Sequence, residues 1–542
     1  MPHSRGANDR RSQILGPSFG HATVADEMAI VRRFQPHPGR RRRVSFRTWL
    51  TPPARSCNCQ RMRLETTLVI LWLVSWQGWA ASCESLRAVQ LKNTTITLTE
   101  AVTHNSATGG VPYCRIAATL APSSDSDVKI EVWLPAEGWN GKLEGNGNGG
   151  WSGAIVPRVL AEGVKRGYAS AMTDTGHEGA SASFALGHPE KLIDFGYRST
   201  HEMTIAAKAI IRAYYGETQK LSYFVGCSAG GRQGLMEAQR FPEDYDGIVA
   251  GAPGLNWSGR ALESIWIAQA VHRDEASYIP PAKYALLHEA VLAACDSEDG
   301  VKDGVLENPM QCRFDPAEME CKGADTTGCL TPAQVESARR VYARFEKHGV
   351  VIFPGFERGS EPGWATMAGP RPFTIGLDLF RYVVFADPEW DFRKFDFDGD
   401  GDIARTAIAS AALNAIDPDL KKFAARRGKL IQYHGWSDPQ IPPEFSVEYY
   451  RSVVKKMGDA GHFYRLYMVP GMAHCGGGDG TSTFDMLTAL EGWAEQNQTP
   501  GQIPARRDRD GRTRPLCPFP QVAKYKGSGG IDDAANFTCQ VH

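Results

Sequence analysis

Ser228 stands in the sequence pattern that most readily supplies a nucleophile. It lies in Gly-Cys-Ser-Ala-Gly (226–230), which matches the G-x-S-x-G nucleophile elbow. The apolar run at 221–225 predicts a buried strand before it, and the segment GRQGLMEAQRF predicts a helix after it. Glycines flank the serine because a Cβ in so tight a turn would clash with neighbouring backbone. This context favours nucleophilic catalysis over the alternative, an ordinary glycine-rich turn.

A nucleophilic serine needs a base that takes its proton and an acid group that orients the base. In hydrolases built on this elbow, the acid and then the histidine follow the serine, each just past a strand. Asp438 in HGWSDP (434–439) and His474 in PGMAHC (470–475) both follow apolar runs. They are the predicted acid and base. Other candidates fit less well because they lie in a helix-like run, on a strand or before the serine: Asp419, His434, His177 and His201.

A glycine-rich stretch ahead of the serine is the candidate for an oxyanion hole. It reads GNGNGGW (145–151) and follows a predicted strand. Such a loop lets backbone amides face a ligand, and an oxyanion-hole loop precedes the nucleophile in these enzymes. The predicted donors are the amide of Ala229, at the positive end of its helix, and an amide from Gly149 or Gly150. The alternative is a flexible turn.

These residues need a sheet to hold them. Residues 83–135 alternate in strand fashion and predict an antiparallel start. Buried strands and helical segments then alternate as far as Pro253, which implies a largely parallel sheet. The alternation stops near Asn256 and resumes at Lys429. The sequence therefore predicts the α/β class, with a core in two parts and an inserted lid domain, at 82–255, 428–542 and 256–427 respectively.

The N-terminal part is interpreted as processed sequence. Residues 1–61 are rich in arginine and lack sustained periodicity. A charged start at Met62, a short apolar run and small residues up to Ser82 then predict a secretory signal peptide at 62–81. We expect translation to start at Met62, which makes 1–61 an upstream, non-structural extension. Two alternatives stay open: a basic tail ahead of a signal anchor, and lipidation at Cys83.

Charge and cysteine content narrow the class of protein. The balance of 60 basic against 61 acidic residues argues against binding to nucleic acid or another polyanion. Of 12 cysteines, two lie in the extension, and the remaining ten favour disulfides in an exported protein. Cys227 precedes the serine and Cys475 follows the histidine, so a bridge between them would hold both catalytic candidates together. Two free thiols are the alternative.

The longest motifs identify a family. The chain resembles the tannase and feruloyl esterase family of secreted α/β-hydrolases in CSAGGRQG (227–234), AQRFPEDYDGIVAGAP, HGWSDP and VPGMAHCGGG. The resemblance covers about residues 83–539. It implies an α/β-hydrolase fold with a large inserted lid domain and a Cys-Ser, Asp, His-Cys arrangement in which the two cysteines bridge.

The resemblance also implies a structural calcium ion in the lid. The segment CDSEDGVKDGV (295–305) fits the family's metal loop, and hard oxygen ligands on a glycine-bent loop suit Ca²⁺. A solvated acidic turn is the alternative. The implied ligands are three carboxylates and two carbonyls: Asp296, Asp299, Asp303, Val301 and Val305. The implied further disulfides are Cys295–Cys312, Cys321–Cys329, Cys83–Cys114 and Cys517–Cys539.

The expected activity is that of a secreted or periplasmic serine carboxylic-ester hydrolase without an organic cofactor. Its expected substrates are esters of phenolic acids, such as feruloyl or galloyl esters, either small or linked to plant polysaccharide or tannin. A monoester hydrolase of the terephthalate type, a general lipase, esterase or peptidase on the same fold, and a catalytically silent binding protein are the alternatives. We expect no nucleic-acid partner and no stable membrane association, and no pattern indicates the oligomeric state.

Overall fold

A computed structural model of the protein describes residues 81–541. The predictions for 1–61 and for the signal peptide therefore lie outside the described residues, apart from Ala81. Within 81–541, no helix combines the length and the apolar character that crossing a membrane requires. The strands are β1 Thr94–Val102, β2 Tyr113–Leu120, β3 Val128–Pro135, β4 Lys142–Asn146, β5 Ala169–Thr173, β6 Leu221–Cys227, β7 Gly247–Gly251, β8 Phe345–Lys347, β9 Val350–Phe353, β10 Lys429–Gly435, β11 Tyr464–Val469, β12 Ile503–Arg506, β13 Thr513–Leu516, β14 Gln521–Tyr525 and β15 Phe537–Val541.

The helices lie between and beyond these strands. They are α1 Pro157–Lys165, α2 Pro189–Ile193, α3 Ser199–Tyr215, α4 Ala229–Arg240, α5 Trp257–Val271, α6 Ala282–Cys295, α7 Pro332–Tyr342, α8 Thr374–Asp378, α9 Gly401–Leu413, α10 Lys421–Ala425, α11 Glu444–Met457 and α12 Met486–Gln496. Two π-helical turns extend α2 and α8, at Asp194–Arg198 and Leu379–Val384. Short 3₁₀ turns lie at Cys83–Ala88, Ser106–Thr108, Ala182–Ala185, Glu275–Ser277, Pro309–Gln311, Pro316–Met319, Glu361–Thr366, Phe392–Lys394 and Ala534–Asn536.

Nine strands form one sheet in the order β1-β2-β3-β5-β4-β6-β7-β10-β11. The pairs β1–β2, β2–β3 and β3–β5 are antiparallel, and every pair from β5 through β11 is parallel. The burial of the strands follows this division. Strand β2 alternates between buried and half-buried residues, whereas β5 and β7 are buried throughout. A parallel sheet is covered by helices on both faces. The predicted antiparallel start and parallel continuation are confirmed.

The parallel arrangement determines where the candidate residues lie. The carboxyl ends of parallel strands meet at one edge of a sheet, and ligands bind there in open α/β sheets. At that edge β4 leads into the glycine loop, β6 into Ser228, β10 into Asp438 and β11 into His474. Ser228 and His474, which are more than two hundred residues apart in the sequence, are thereby brought to the same edge of the sheet.

Residues 256–427, called the insertion below, add no strand to the main sheet. The Asn256 side chain caps α5 by accepting a hydrogen bond from the Gly259 amide at 3.0 Å, which fixes the start of the first helix of the insertion. One hydrophobic cluster joins Leu235 of α4 to Ile265 of α5 and Leu413 of α9. The insertion therefore shares a core with the α/β part, and its autonomy as a lid domain stays a prediction.

Five disulfides join cysteines within the described residues. The pairs are Cys83–Cys114, Cys227–Cys475, Cys295–Cys312, Cys321–Cys329 and Cys517–Cys539. All five match the pairs that the sequence and the family resemblance implied. Four of them close loops of 8 to 31 residues, whereas the Cys227–Cys475 bridge spans 248.

Candidate active site

Ser228 lies at the turn between β6 and α4 in a strained backbone conformation. Its φ of 64° and ψ of −122° fall outside the regions that residues with side chains ordinarily adopt. The surrounding hydrogen bonds hold it there: the Ser228 amide donates to Gly251 O at 2.9 Å, and Ser228 O accepts from the Gly254 amide at 3.1 Å. Backbone strain of this kind persists only where neighbouring structure fixes it, and it concentrates at functional sites. This geometry is that of a nucleophile elbow.

Close backbone contact explains the glycines around the serine. A Cβ on Gly226 would lie 2.5 Å from the backbone of Gly230, and one on Gly147 would lie 2.4 Å from Gly230 Cα. No side chain fits at either distance. The glycine loop after β4 consequently packs directly against the elbow, as an oxyanion-hole loop must.

Asp438 and His474 are brought together at the same edge of the sheet. His474 Nδ1 lies 2.7 Å from Asp438 Oδ2, and the other carboxylate oxygen accepts from the amides of Gln440 at 2.8 Å and Ile441 at 3.0 Å. Burial alone would raise the pKa of the Asp438 carboxyl. The opposing charge of His474 and the hydrogen bonds from two histidines outweigh burial and hold that pKa well below its usual range. Asp438 is thus an ionised acceptor that fixes the imidazole of His474.

His434 is the second histidine on this carboxylate. It is fully buried, and its Nε2 lies 3.1 Å from Asp438 Oδ2 while its Nδ1 lies 2.6 Å from Ser446 Oγ. The interpretation of His434 as a buried imidazole on its strand fits these contacts. Sequence reasoning missed its role in holding the acid, although its position four residues before Asp438 on the same strand-to-turn segment was a usable signal.

The amides predicted as oxyanion donors have no acceptor within the described residues. Within residues 81–541, the amides of Ala229, Gly149 and Gly150 donate to no other protein group, and their role as oxyanion donors stays a prediction. Ile375 of the insertion faces this loop, since a Cβ on Gly150 would lie 3.0 Å from Ile375 Cδ1. Trp151 Nε1 also donates to Ile375 O at 2.8 Å. The insertion therefore covers the glycine loop.

A buried amide pair ties the glycine loop to the helix behind the serine. Gln233 of α4 accepts from the Asn148 amide at 2.9 Å through Oε1 and donates to Asn148 Oδ1 at 3.1 Å through Nε2. The Asn148 Nδ2 group donates in turn to Thr173 O at 2.9 Å. Both Gln233 and Asn148 lie inside the motifs that the sequence singled out. Their pairing was missed because no local signal predicts a contact across 85 residues.

The Cys227–Cys475 bridge links the elbow to the turn that carries His474. The two Cα atoms are 6.0 Å apart, and Cys475 adopts a positive φ of 62°. Ser228 and His474 are each adjacent in the chain to one of the bridged cysteines. The bridge thus anchors the serine and the histidine to one another covalently.

Four of the five predicted calcium ligands line one cavity. Asp299, Val301, Asp303 and Val305 line one small cavity together with Glu307 and two arginines, Arg512 and Arg514. The Asp296 carboxylate accepts from the Gly304 amide at 3.0 Å and from the Val305 amide at 3.3 Å. Burial first, and then the neighbouring carboxylates, raise the pKa of Asp299 to about 6. The oxygen donors are of the type that Ca²⁺ prefers, but the carboxylate oxygens of Asp296, Asp299 and Asp303 do not all lie within 4.8 Å of one another.

The fold and this site define an α/β-hydrolase, and comparison with known proteins gives the family. The sequence profile described as tannase and feruloyl esterase matches residues 114–540. The chain belongs to the tannase and feruloyl esterase family, whose members are carboxylic ester hydrolases.

Individual relatives agree with the family assignment. The chain is 35% identical to an uncharacterized esterase of Xanthomonas campestris pv. campestris, over 89% of this chain and 95% of that one. It is 34% identical to the mono(2-hydroxyethyl) terephthalate hydrolase of Piscinibacter sakaiensis, over 79% and 84%. The crystal structure of feruloyl esterase B from Aspergillus oryzae superposes with a TM-score of 0.79 at 28% identity, covering 84% of this chain and 99% of that chain.

Replacing Gln233 by leucine should slow turnover more than it weakens substrate binding. The substitution leaves the amide and the side-chain oxygen of Asn148 unpaired, and a displaced oxyanion donor acts on the transition state. We expect kcat on a soluble aromatic ester to fall roughly 10- to 100-fold with a smaller change in KM. Gln432→Leu is the matched control, because Gln432 is equally buried but bonds to Tyr464. Equal kcat losses in the two variants would contradict the assignment.

Removing the Cys227–Cys475 bridge should cost both stability and activity. Closing a loop of 248 residues is worth about 5 kcal/mol in the chain-entropy model. The variant Cys227→Ala/Cys475→Ala should therefore melt at a lower temperature and lose kcat at temperatures where it is still folded. The control is Cys321→Ala/Cys329→Ala, whose loop of 8 residues corresponds to about 2.5 kcal/mol and lies in the insertion. Full activity of the first variant below its melting temperature would refute the positioning role.

Proposed function

We propose that the protein is an exported serine esterase that cleaves esters of aromatic, phenolic acids. One arrangement carries this proposal. His474 bonds to Asp438, and the bridge between Cys227 and Cys475 links the neighbour of His474 to the neighbour of Ser228, which lies in a strained elbow. Family membership supports the reaction class, and the feruloyl esterase neighbour supports the aromatic acid. Feruloyl and galloyl esters are the proposed substrate classes, either as small molecules or linked to plant polysaccharide or tannin.

The proposed reaction proceeds through an acyl-enzyme. Because Nδ1 of His474 bonds to Asp438, Nε2 is the nitrogen left to act as base. Ser228 Oγ attacks the ester carbonyl carbon while its proton passes to His474 Nε2. The oxyanion that forms accepts hydrogen bonds from the Ala229 amide and from Gly149 or Gly150. When the intermediate collapses, the alcohol leaves with the proton from His474, and the acyl group stays on Ser228.

Water completes the cycle by the same route. His474 takes a proton from water as the oxygen attacks the acyl carbon, and the second oxyanion uses the same amides. Collapse returns the proton to Ser228 Oγ and releases the aromatic acid. Asp438 stays ionised throughout, since its pKa is held well below its usual range by His474 and His434. The acid therefore stabilises the imidazolium electrostatically and takes no proton itself.

The insertion is the proposed determinant of substrate choice. Ile375 of the insertion lies against Gly150 of the glycine loop, and this contact supports a role for the insertion in shaping the site. A second candidate substrate class is a monoester of the terephthalate type, and the relative from Piscinibacter sakaiensis supports it. Both candidates share an aromatic acyl group next to the scissile ester.

Export is proposed on two grounds. The five disulfides suit an oxidising compartment, and the sequence at 62–81 has the features of a signal peptide. A secreted or periplasmic location is consistent with both.

A structural calcium ion is proposed at the segment 296–305. Its holders would be the carboxylates of Asp296, Asp299 and Asp303 and the carbonyls of Val301 and Val305. Calcium there would neutralise a partly buried acidic cluster and stabilise the insertion, with no part in the ester chemistry. Arg512 and Arg514 already pair with Asp303, so the C-terminal hairpin β12–β13 supports the same loop.

Replacing Ser228 by alanine should abolish ester hydrolysis without unfolding the protein. Loss of the nucleophile in such a triad lowers turnover by roughly 10⁴-fold or more. The assay is a panel of methyl ferulate, methyl gallate and nitrophenyl esters of increasing chain length, with melting temperature as the folding check. Wild type should favour the aromatic acids, and Ser452→Ala on α11 should behave like wild type. Substantial turnover by the Ser228 variant would rule out the mechanism, and a preference for long aliphatic chains would rule out the substrate class.

Removing calcium should lower the melting temperature. We expect EGTA to destabilise the wild-type protein and added Ca²⁺ to restore it, because the ligands bind the ion only in the folded state. Asp299→Asn should lose this response. Asp398→Asn, in an exposed acidic turn of the same insertion, should retain it. An identical melting temperature with and without EGTA would exclude the site.

A further inference from the structure

Three side chains that can ligate a metal ion meet where α3 approaches the end of α4. His201 lies in the first turn of α3, Glu237 in the last turn of α4, and Asp244 in the turn that leads from α4 to β7. One ligand atom of each residue lies within 4.8 Å of those of the other two. Glu237 and Asp244 are buried, and His201 is partly buried. The cluster contains no residue of the candidate active site.

Glu237 is the member of this cluster that lacks a partner. Only 1% of the residue is exposed, and neither carboxylate oxygen has a hydrogen bond within residues 81–541. Burial first, and then the charge of Asp244, raise the pKa of the Glu237 carboxyl well above its usual range. A buried polar group that nothing compensates is costly. A cation bound between Glu237 and Asp244 would remove that cost.

The other two ligand groups already face one another. His201 Nδ1 lies 2.5 Å from Asp244 Oδ2. The imidazole stacks on the Phe241 ring with centroids 3.8 Å apart and an angle of 11° between the planes, which fixes its orientation. In a tetrahedral site with bonds of about 2.0–2.2 Å, ligand atoms lie roughly 3.4 Å apart. Side-chain shifts on the order of 1 Å would therefore bring all three groups to the spacing that an ion requires.

No cationic side chain already serves these carboxylates. Among residues 81–541, no lysine or arginine nitrogen lies within 4.0 Å of a carboxylate oxygen of Glu237 or Asp244. Lys208, two turns beyond His201 on α3, donates instead to the backbone carbonyls of Glu243 and Asp244. The His201 side chain is 20% exposed, which gives an ion a route from solvent to the cluster.

We propose that His201, Glu237 and Asp244 form a binding site for a divalent transition-metal ion, and that Zn²⁺ is the ion it prefers. Zn²⁺ binds imidazole nitrogen together with carboxylate oxygen, whereas Ca²⁺ prefers oxygen ligands alone. The imidazole therefore distinguishes this site from the calcium segment at 296–305. The bound ion joins α3 to the end of α4, about 13 Å along that helix from Ser228, and takes no part in the ester chemistry.

Titration of the chelator-treated protein with Zn²⁺ tests the site. Excess Ca²⁺ is present throughout, so that the segment 296–305 does not compete for Zn²⁺. Wild type should bind one equivalent, and Glu237→Gln should weaken the affinity roughly 100-fold or more, because a ligand and its charge are lost. Glu263→Gln is the matched control. Glu263 is equally buried and equally unpartnered, but it belongs to no metal-ligating cluster of the described residues.

Co²⁺ in place of Zn²⁺ reports on the ligands themselves. The wild-type protein loaded with Co²⁺ should show the visible absorption of an ion with few ligands, and His201→Gln should lose it. His188→Gln should keep it, because His188 Nδ1 also lies close to a carboxylate, at 2.9 Å from Asp125 Oδ1, but has no third ligand nearby among the described residues. This signal depends on coordination and would not follow from a merely structural role of His201.

Melting temperature shows whether the ion joins the two helices. Zn²⁺ should raise the melting temperature of wild type and leave that of Glu237→Gln unchanged, because only the folded wild type presents all three ligands. Without metal, Glu237→Gln should be at least as stable as wild type, since the substitution removes a buried carboxyl group that has no partner.

The outcomes are distinct. Zn²⁺ affinity that is equal in wild type and Glu237→Gln would overturn the site. Absence of Zn²⁺ binding by wild type would also overturn it and would leave Glu237 as a protonated acid beside Asp244. If Glu237→Gln fails to fold, His201→Gln takes its place, and a Zn²⁺ affinity equal to that of wild type would be equally decisive. None of these results depends on the proposed esterase function, because each is read from metal binding or stability.

Discussion

The Cys227–Cys475 bridge is the constraint on which the arrangement of the site depends. Strands β6 and β11 are separated by β7 and β10, so their ends lie about 14 Å apart at the usual strand spacing. The bridged Cα atoms are 6.0 Å apart. The turn after β11 must therefore run back across the ends of two strands to reach the elbow. Gly471 and Gly477 have positive φ values of 65° and 68°, which lets the chain turn back over that short distance.

This return path explains why the acid lies where it does. Asp438 follows β10, which is the strand between β7 and β11, and so lies beneath the path of the histidine turn. The Ser437 amide donates to Met472 O at 3.0 Å, which ties the two turns to each other. The imidazole of His474 is then held by Asp438 through Nδ1, and the backbone next to it is held by the bridge at Cys475. Two anchors on one turn leave little freedom for the base to move away from the serine.

Much of this arrangement was predictable, because the motifs are local. The elbow, the turn with the acid, the turn with the histidine and the buried strands are each recognisable from a short run of consecutive residues. The positions of β5 between β3 and β4 and of Gln233 against Asn148 were not predictable. Both depend on contacts between distant segments, whose pairing no local spacing encodes. The common core of Leu235, Ile265 and Leu413 belongs to the same class, since an insertion in the sequence need not be separate in space.

Two buried arginines show how charged side chains join the α/β part to the insertion. Arg232, on the helix behind the serine, is fully buried and donates to backbone carbonyls of Phe195, Gly196 and Leu413. Its Nη nitrogens both have acceptors, and it has no capacity for a ligand there. Arg260, on the first helix of the insertion, donates from Nε to Gln440 O and lies over the rings of Phe373 and Trp257. Because each guanidinium crosses between the α/β part and the insertion, the partners that offset its desolvation cost also join the two parts of the chain.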